Sequence, residues 1–478
     1  MCPLADVINN NKVSTNTTVY SFAASAATQE EIEQAKIRDD HTKPVEPSRR
    51  IWRPQVTSLY EEPDCIPDPL SDLEILYKEF GKPIWINKSE LPPRDDILKF
   101  DPEKHTKEFE SNIQWADCPE TFRPKIETLI KEFWDVFAEE GVRNTIRGAK
   151  FHVDTGKVAP VCARPPRYGP HESKIINELI EKLEKNGIIE DDDGPWGAPI
   201  VLAAKPHQEH VHWSKYIWRL CVSYRKLNAV TRPFTFPIIR CDDAVREIGD
   251  SKYFITMDLD SGYWQVACEE KSKAKLAFFT PIGKKRFKTM PMGATNAHPV
   301  FVALVAKFKE EWDKKAQQKK LDGYKSQVIV DDIMLSARDP DTLLTYFLCV
   351  LEVLQHYRCT AKLRKCRFFP SVAEFVGLDI HAEGNAPAKS KFEAFTKLEP
   401  PKSFTDLNML IGCFGFYQEH IPLYETKIKR WRDTQKLRPQ PGTPKEQEEV
   451  LIKQAWGPED DRLLQQLKDH ILSEPILK

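Results

Sequence analysis

Apolar residues recur along this chain with two periods, and the switches between them outline most of a fold. In FRPKIETLIKEFWDVFAEEG, residues 122–141, they stand at Ile126, Leu129, Ile130, Phe133 and Phe137, a helical spacing that Gly141 ends. In PHESKIINELIEKLEKNGII, Pro170 opens a second amphipathic helix. Ile175, Ile176, Leu179, Ile180 and Leu183 form its apolar face, and Asn186-Gly187 stops it. The pattern then becomes that of strands. APIVLAAK from Ala198 and IWRLCVSY from Ile217 predict a hairpin, and YFITMDLD predicts a strand that ends in acids. RFKTMPMGATNAHPVFVALVAKFKEEW turns at Gly293 and continues as a helix, while KSQVIVDDIML, residues 325–335, predicts another hairpin. Residues 341–357 predict a helix, FVGLDIHAEG from Phe375 a strand and turn, and the chain from Phe404 mostly helix. Helices interleaved with antiparallel hairpins place the chain in the α+β class.

The totals narrow the possibilities. A length of 478 residues allows two to four domains or lobes. With 41% hydrophobic and 30% charged residues, most of the chain can bury a core. A net charge of −2 means that any nucleic-acid surface must be local. The 11 cysteines form no C-x-x-C pair, which points to scattered reduced thiols of an intracellular protein. MCPLADVINNNK lacks the charged head and apolar run of a secretory leader. LLTYFLCVLEVL from Leu343 is too short to cross a bilayer, so no membrane partner is expected. Residues 1–65 read as a disordered polar arm, and 66–119 as a linker without assigned function.

Three short motifs invite chemistry that their surroundings do not support. Asp154-Thr155-Gly156 spells the triplet of aspartic proteases, without the second apolar element and flap that a protease needs. His207, His210 and His212 lie in HQEHVHW, at a polar hairpin tip and without H-E-x-x-H spacing. The run Glu190-Asp191-Asp192-Asp193 before Gly194-Pro195 reads as a solvated turn.

The acids of KSQVIVDDIML raise a harder question. Asp331 and Asp332 sit among Val328, Ile329, Val330 and Ile333, and burying an unpartnered carboxylate is costly. Asp258 closes a second apolar strand. Either these acids end strands in solvated turns, or the two strands lie side by side and the acids converge. In the second case, like charges about 4 Å apart repel by about 4 kcal/mol at an effective dielectric of about 20. A divalent cation removes that penalty. Oxygen ligands that leave room for water and phosphate select Mg²⁺. Two such ions can activate an attacking hydroxyl and stabilise a departing pyrophosphate.

Seven motifs, in order, resemble the reverse transcriptase region of gypsy-type (Metaviridae) LTR-retrotransposon Pol polyproteins. FHVDTGKVAPVCARPPRYGPHESKIINELIEKLEKNGIIEDDDGPWGAPIVLAAK is similar to that family's entry segment, and WRLCVSYRKLNAVTRPFTFPI to its fingers motif. DLDSGYWQV and VDDI resemble its two catalytic motifs, and FTPIGKKRFKTMPMGATNA its nucleotide-pocket motif. LRKCRFFPSVAEFVGLDI resembles the segment ending in the primer grip, and LNMLIGCFGFYQEHIP the thumb connection. The resemblance runs from about residue 120 to the C-terminus. It implies a right-hand polymerase with an antiparallel palm sheet and flanking helices. Residues 120–390 would form fingers and palm, and 391–478 the thumb and connection, ending before an RNase H domain would begin.

The resemblance also implies roles. Asp258, Asp331 and Asp332 would be catalytic and, with the backbone carbonyl of Leu259, would hold two Mg²⁺ ions, with Mn²⁺ as a substitute. Tyr263 matches the aromatic floor of the sugar pocket, which selects dNTPs. Lys205 and Arg219 match the cations that grip the triphosphate, a task suited to a planar guanidinium. Met292 and Gly293 match the nucleotide-pocket turn. Lys365 is the candidate proton donor to pyrophosphate, with Lys362 and Arg364 as neighbours that compete for the assignment. Phe375, Val376, Gly377 and Leu378 would hold the primer end, and Lys427, Lys429, Arg430 and Arg432 would contact phosphates. The implied partners are an RNA template, a DNA primer, dNTPs, and the RNase H and integrase parts of a polyprotein. The expected location is intracellular: cytoplasm, virus-like particle or nucleus.

The chain departs from the family's pattern in three places. Ile329 stands where the family usually has tyrosine, Ser223 where it has an acid, and His298 where it tends to have proline. No metal-binding acid is lost. LLQQLKDHILSEPILK resembles the helix before the family's RNase H domain, so the sequence reads as one piece of a polyprotein or a truncated gene. The rival reading is a non-catalytic nucleic-acid-binding relic. An RNA-synthesising polymerase is disfavoured by Tyr263.

Overall fold

The structure is a computed structural model that describes residues 84–86, 96–115, 118–137, 145–204, 218–439 and 445–477. Residues 1–65, most of 66–95, Lys205 and the histidines of HQEHVHW lie outside the described residues.

The first predicted helix is broken. Arg123–Glu132 (α1) ends at Phe133, and a second turn spans Trp134–Phe137. The run FWDVF cannot place its apolar side chains on one helix face. The break lets Trp134, Val136 and Phe137 all bury at 0–1% exposure. Pro170–Lys185 (α2) forms as predicted, with Ile176, Ile180 and Leu183 buried and Glu172 accepting the Gly169 N–H at 2.9 Å. Ile200–Ala204 (β1) and Trp218–Val222 (β2) pair antiparallel. Cys241–Ile248 (α3) then leads to Tyr253–Asp258 (β3).

The central sheet holds four strands. Tyr324–Ile329 (β4), Asp332–Ala337 (β5) and Arg367–Phe368 (β6) join β3 in the order β4-β5-β3-β6, all antiparallel. Ala297–Gln318 (α4) precedes β4, and Pro340–Tyr357 (α5) follows β5. Asp339 caps α5 by accepting the N–H groups of Asp341 and Thr342 at 3.1 and 3.0 Å. The period of two sends alternate side chains to opposite faces. Ile255, Met257, Ile333 and Leu335 enter one core with Phe301, Phe308 and Phe347, while Phe254 and Met334 enter a second. Burial on both faces explains why these strands read as nearly continuous apolar runs.

The second core is completed by later elements. Ala373–Phe375 (β7), Leu378–His381 (β8) and Gly384–Pro387 (β9) form a three-stranded sheet. Phe404–Phe416 (α6), Lys429–Lys436 (α7) and Pro458–Leu472 (α8) contribute Leu407, Leu410, Phe414, Trp431, Leu464 and Leu467. Among the described residues no helix is long and apolar enough to cross a membrane.

Two minor motifs settle differently. Asp154 makes a local turn: its side chain accepts the Gly156 N–H at 2.8 Å and pairs with Arg232 at 3.2 Å. The acid run at 190–193 is only in part the solvated turn expected: Asp193 is exposed and the Asp191 side chain is 91% exposed. Glu190 and Asp191 are in a strand opposite Arg286 and Lys285, and the Asp192 side chain is fully buried beside Lys284 at 2.8 Å. Basic residues on the partner strand pair with Glu190, Asp191 and Asp192 and bury the last of these.

Candidate active site

A two-residue turn, Val330-Asp331, joins β4 to β5 with Ile329 opposite Asp332. Val330 has φ 60°, the left-handed region that a β-branched residue rarely adopts. Such a backbone costs on the order of 1–3 kcal/mol, which the paired strands on either side must override. The turn puts Asp331 at the tip and Asp332 at the start of β5. On the other side of β5, Asp258 lies directly opposite Asp332. The Leu259 N–H donates to the Asp331 carbonyl at 3.0 Å and clamps the tip to the end of β3. The three acids therefore share one end of one sheet, which is the converging alternative of the two that the sequence left open.

Electrostatics at this end are unfavourable without a cation. Burial pushes the carboxyl of Asp331 above its usual range, and the charge of Asp258 adds to it. Burial does the same to Asp332, with Asp331 and Asp258 adding. Lys365, in a short turn at Leu363–Lys365, places its Nζ 2.5 Å from Asp258 Oδ2. Lys362 pairs instead with Asp260 at 3.3 Å, and its backbone N–H donates to the Asp258 carbonyl at 2.8 Å. The geometry thus separates two lysines that the sequence could not tell apart. Among the described residues no three His, Cys, Asp or Glu side chains already form a metal cage. An open site whose remaining ligands are water and phosphate needs none. Three carboxylates at one sheet end, two of them raised, form a donor set that fits a hard divalent cation.

This gives a stability prediction. An acid whose pKa is raised by folding lowers stability as pH rises from its unfolded to its folded value, and the loss persists above that. Asp332→Asn removes the loss. The metal-free variant should melt higher than the parent at pH 7, by on the order of 2 °C. The gain should vanish once pH falls below the ordinary carboxylate range. Calorimetry at both pH values checks this, and an unchanged melting temperature at pH 7 contradicts it.

Tyr263 follows β3 in a short turn at Gly262–Gln265, entered through Ser261 at φ 52°. Its ring packs on Phe301 with centroids 5.2 Å apart, and its hydroxyl is hydrogen-bonded to His298 Nδ1 at 3.1 Å. Gly262 is required here, because a Cβ would lie 2.3 Å from Phe301 Cζ. Met292 is 61% exposed beside Gly293, whose φ is 89°. Two asparagines that sequence reasoning missed hold this turn. Asn228 donates to the Gly293 carbonyl and accepts from the Thr295 N–H, both at 3.0 Å. Buried Asn296 accepts from Phe234 N–H at 2.9 Å and donates to the Arg232 carbonyl at 2.8 Å. Their only signal was an amide in the short stretches NAV and TNA. Arg219 is exposed on β2, opposite Ala203.

Two expected contact sets are narrowed. Phe375 and Leu378 are 3% and 5% exposed in the second core, because they pair across the β7–β8 hairpin. In the turn between them, with φ 46° and 87°, Val376 is partly exposed and Gly377 is buried. The Gly377 carbonyl accepts from the Tyr417 hydroxyl at 3.0 Å and the Ala388 N–H at 3.1 Å. Further on, Arg430 pairs with Glu459 at 2.9 Å and Asp460 at 3.1 Å. Arg432 forks onto Glu425 at 2.7 and 2.9 Å. These acids satisfy both arginines within the chain. Lys427 and Lys429 are exposed, and Trp431 is buried at 1%.

Residues 210–380 match the family described as reverse transcriptase (RNA-dependent DNA polymerase). The chain is 27% identical over 315 residues to the retrovirus-related Pol polyprotein from transposon opus of Drosophila melanogaster, covering 66% of this chain and 30% of that one. It is 28% identical over 308 residues to the corresponding polyprotein of transposon 297 of the same organism, covering 64% and 28%. It is 22% identical over 408 residues to the transposon Tf2-3 polyprotein of Schizosaccharomyces pombe, covering 84% and 28%. The chain spans less than a third of the length of these relatives. Among solved structures, the foamy viral protease-reverse transcriptase bound to double-stranded DNA superposes with a TM-score of 0.64 at 19% identity, covering 81% of this chain and 63% of that one. The same protein with an RNA/DNA hybrid gives 0.62 at 19%, covering 81% and 48%. The fold is that of a polymerase hand, and the acids at the sheet end fall inside the matched segment. The chain carries, at residues 210–380, a reverse transcriptase domain of the kind found in retrotransposon Pol polyproteins.

Proposed function

We propose that the chain is the RNA-directed DNA polymerase of a gypsy-type LTR retrotransposon, a nucleotidyltransferase that extends a DNA primer on an RNA template. The observation that carries this is the convergence of Asp258, Asp331 and Asp332 at one end of the central sheet. These acids and the Leu259 carbonyl would hold two Mg²⁺, or Mn²⁺ in their place, which would activate the primer 3′-hydroxyl and stabilise charge on pyrophosphate.

The chain's own residues do the positioning on which phosphoryl transfer depends. Tyr263 closes the sugar pocket against a 2′-hydroxyl, so dNTPs are the substrates. The Met292-Gly293 turn supports the nucleotide, while Arg219 and Lys205 neutralise its triphosphate. Lys365, already beside Asp258, is placed to give a proton on the pyrophosphate side. The backbone of Val376-Gly377 steadies the primer end. Lys427 and Lys429, both exposed, contact phosphates of the duplex. RNase H and integrase activities would come from other parts of the polyprotein.

Primer extension on an RNA template with Mg²⁺ tests the reading. Extension with dNTPs and not with rNTPs is expected. Absence of extension with dNTPs, or equal use of rNTPs, rejects it. A second result concerns Ile329, the last residue of β4, which packs partly buried against the second core. Ile329→Tyr places a ring two residues before the paired acids, near the expected primer–template end. It should increase the nucleotides added per binding event in a trap assay, and an unchanged product length rejects this.

A further inference from the structure

We propose that His298 is the positioning residue that fixes the Tyr263 ring and thereby sets discrimination between deoxyribose and ribose. The inference rests on the polymerase reading and names a determinant of its sugar specificity. Residue 298 lies in the first turn of α4, where the resemblance leads one to expect proline. Proline has no side-chain group that could bond a phenol. Here the imidazole Nδ1 meets the Tyr263 hydroxyl at 3.1 Å.

Two contacts from α4 hold the ring of Tyr263. Its face rests on Phe301, which is fully buried and lies three residues, about one helical turn, after His298. Its hydroxyl rests on His298. Phe301 alone allows the ring to slide in its own plane, because the contact is apolar and non-directional. The hydrogen bond is directional and removes that freedom. Gly262 lets the turn that carries Tyr263 approach Phe301 closely, since a Cβ there would lie 2.3 Å from Phe301 Cζ. A gate that excludes one hydroxyl group works by the position of the ring edge, and displacements well below the size of an oxygen atom decide whether ribose enters. His298 therefore acts on substrate only through Tyr263.

The test uses the full chain with an RNA template and a DNA primer, and reads dNTP and rNTP incorporation separately. Removing a neutral hydrogen bond of this kind should lower the preference for dNTP over rNTP about fivefold in His298→Ala. The change should fall on KM, with kcat for dNTP within about twofold of the parent. His298→Asn, which can place an amide near the Nδ1 position, should restore most of the preference. In a Tyr263→Phe background, where the hydroxyl is gone, His298→Ala should have no further effect on the ratio. Equilibrium capture of dNTP or rNTP by the complex with a dideoxy-terminated primer should reproduce the ratios without turnover. An unchanged ratio in His298→Ala, or an equal loss with and without the Tyr263 hydroxyl, overturns the inference and leaves the polymerase reading intact. A parent chain that neither extends primers nor captures nucleotide overturns both.

Discussion

Asp331→Asn should reduce nucleotide addition on the order of 10³-fold while leaving primer–template binding nearly unchanged. The substitution keeps the shape of the side chain and removes its charge. Asp331 sits at the tip of the hairpin, raised in pKa by burial and by the Asp258 charge, so its ionised form costs the fold something when no cation is present. Losing that charge removes a donor for the cation and also relieves repulsion. The two consequences have opposite signs. Activity should collapse while the metal-free melting temperature holds or rises. That combination separates a lost catalytic group from a misfolded chain, which would lose both. Single-turnover extension and calorimetry on the same preparation measure the pair. Extension within tenfold of the parent would show that Asp331 is not part of the catalytic centre.

Gly262→Ala should destabilise the chain by about 1–3 kcal/mol and weaken dNTP use. Its Cβ would meet Phe301 Cζ at 2.3 Å, and Phe301 is buried at 0% exposure on α4 with no room to retreat. Either the turn after β3 or the helix must move. Both hold Tyr263, the turn by carrying it and the helix through Phe301 and His298. The loss should therefore appear both in denaturant unfolding and as a raised KM for dNTP. A smaller residue at 301 should compensate: Gly262→Ala with Phe301→Val should be more stable than the two separate losses add up to. Strict additivity would mean that the two sites do not press on each other.

The sequence made the central sheet legible because its strands are buried on both faces. YFITMD and QVIV are apolar nearly throughout, and a carboxylate at the end of such a run stands out. The catalytic candidates were legible for the same reason. What stayed hidden depends on partners far away in the chain. Lys285 and Arg286 stand 94 and 96 positions beyond the acids with which they pair. Asn228 shows its purpose only when it reaches the turn near Gly293, 65 residues on. The burial of Phe375 and Leu378 follows from their pairing across a two-residue turn, which turns both side chains to the same face. Arg430 and Arg432 looked available because their acids come from Glu425 and from the start of α8, outside the basic run itself. The break at Phe133 was missed because the spacing of five apolar residues fits one helix, while Trp134 and Val136 need another orientation.

The sharing of one sheet between two cores has a consequence for how the chain is made. β6 completes the hydrogen-bonded sheet as soon as residue 368 is available, and one face is covered by then. The other face, with Phe254 and Met334, shares its core with residues as late as Ile471. A ribosome adds about 5–20 residues per second, so for several seconds that face of the nascent sheet is covered only in part, by Ala244, Val245 and Ile248 of α3. That interval is when a chaperone would find it, and when a neighbouring copy could stick to it.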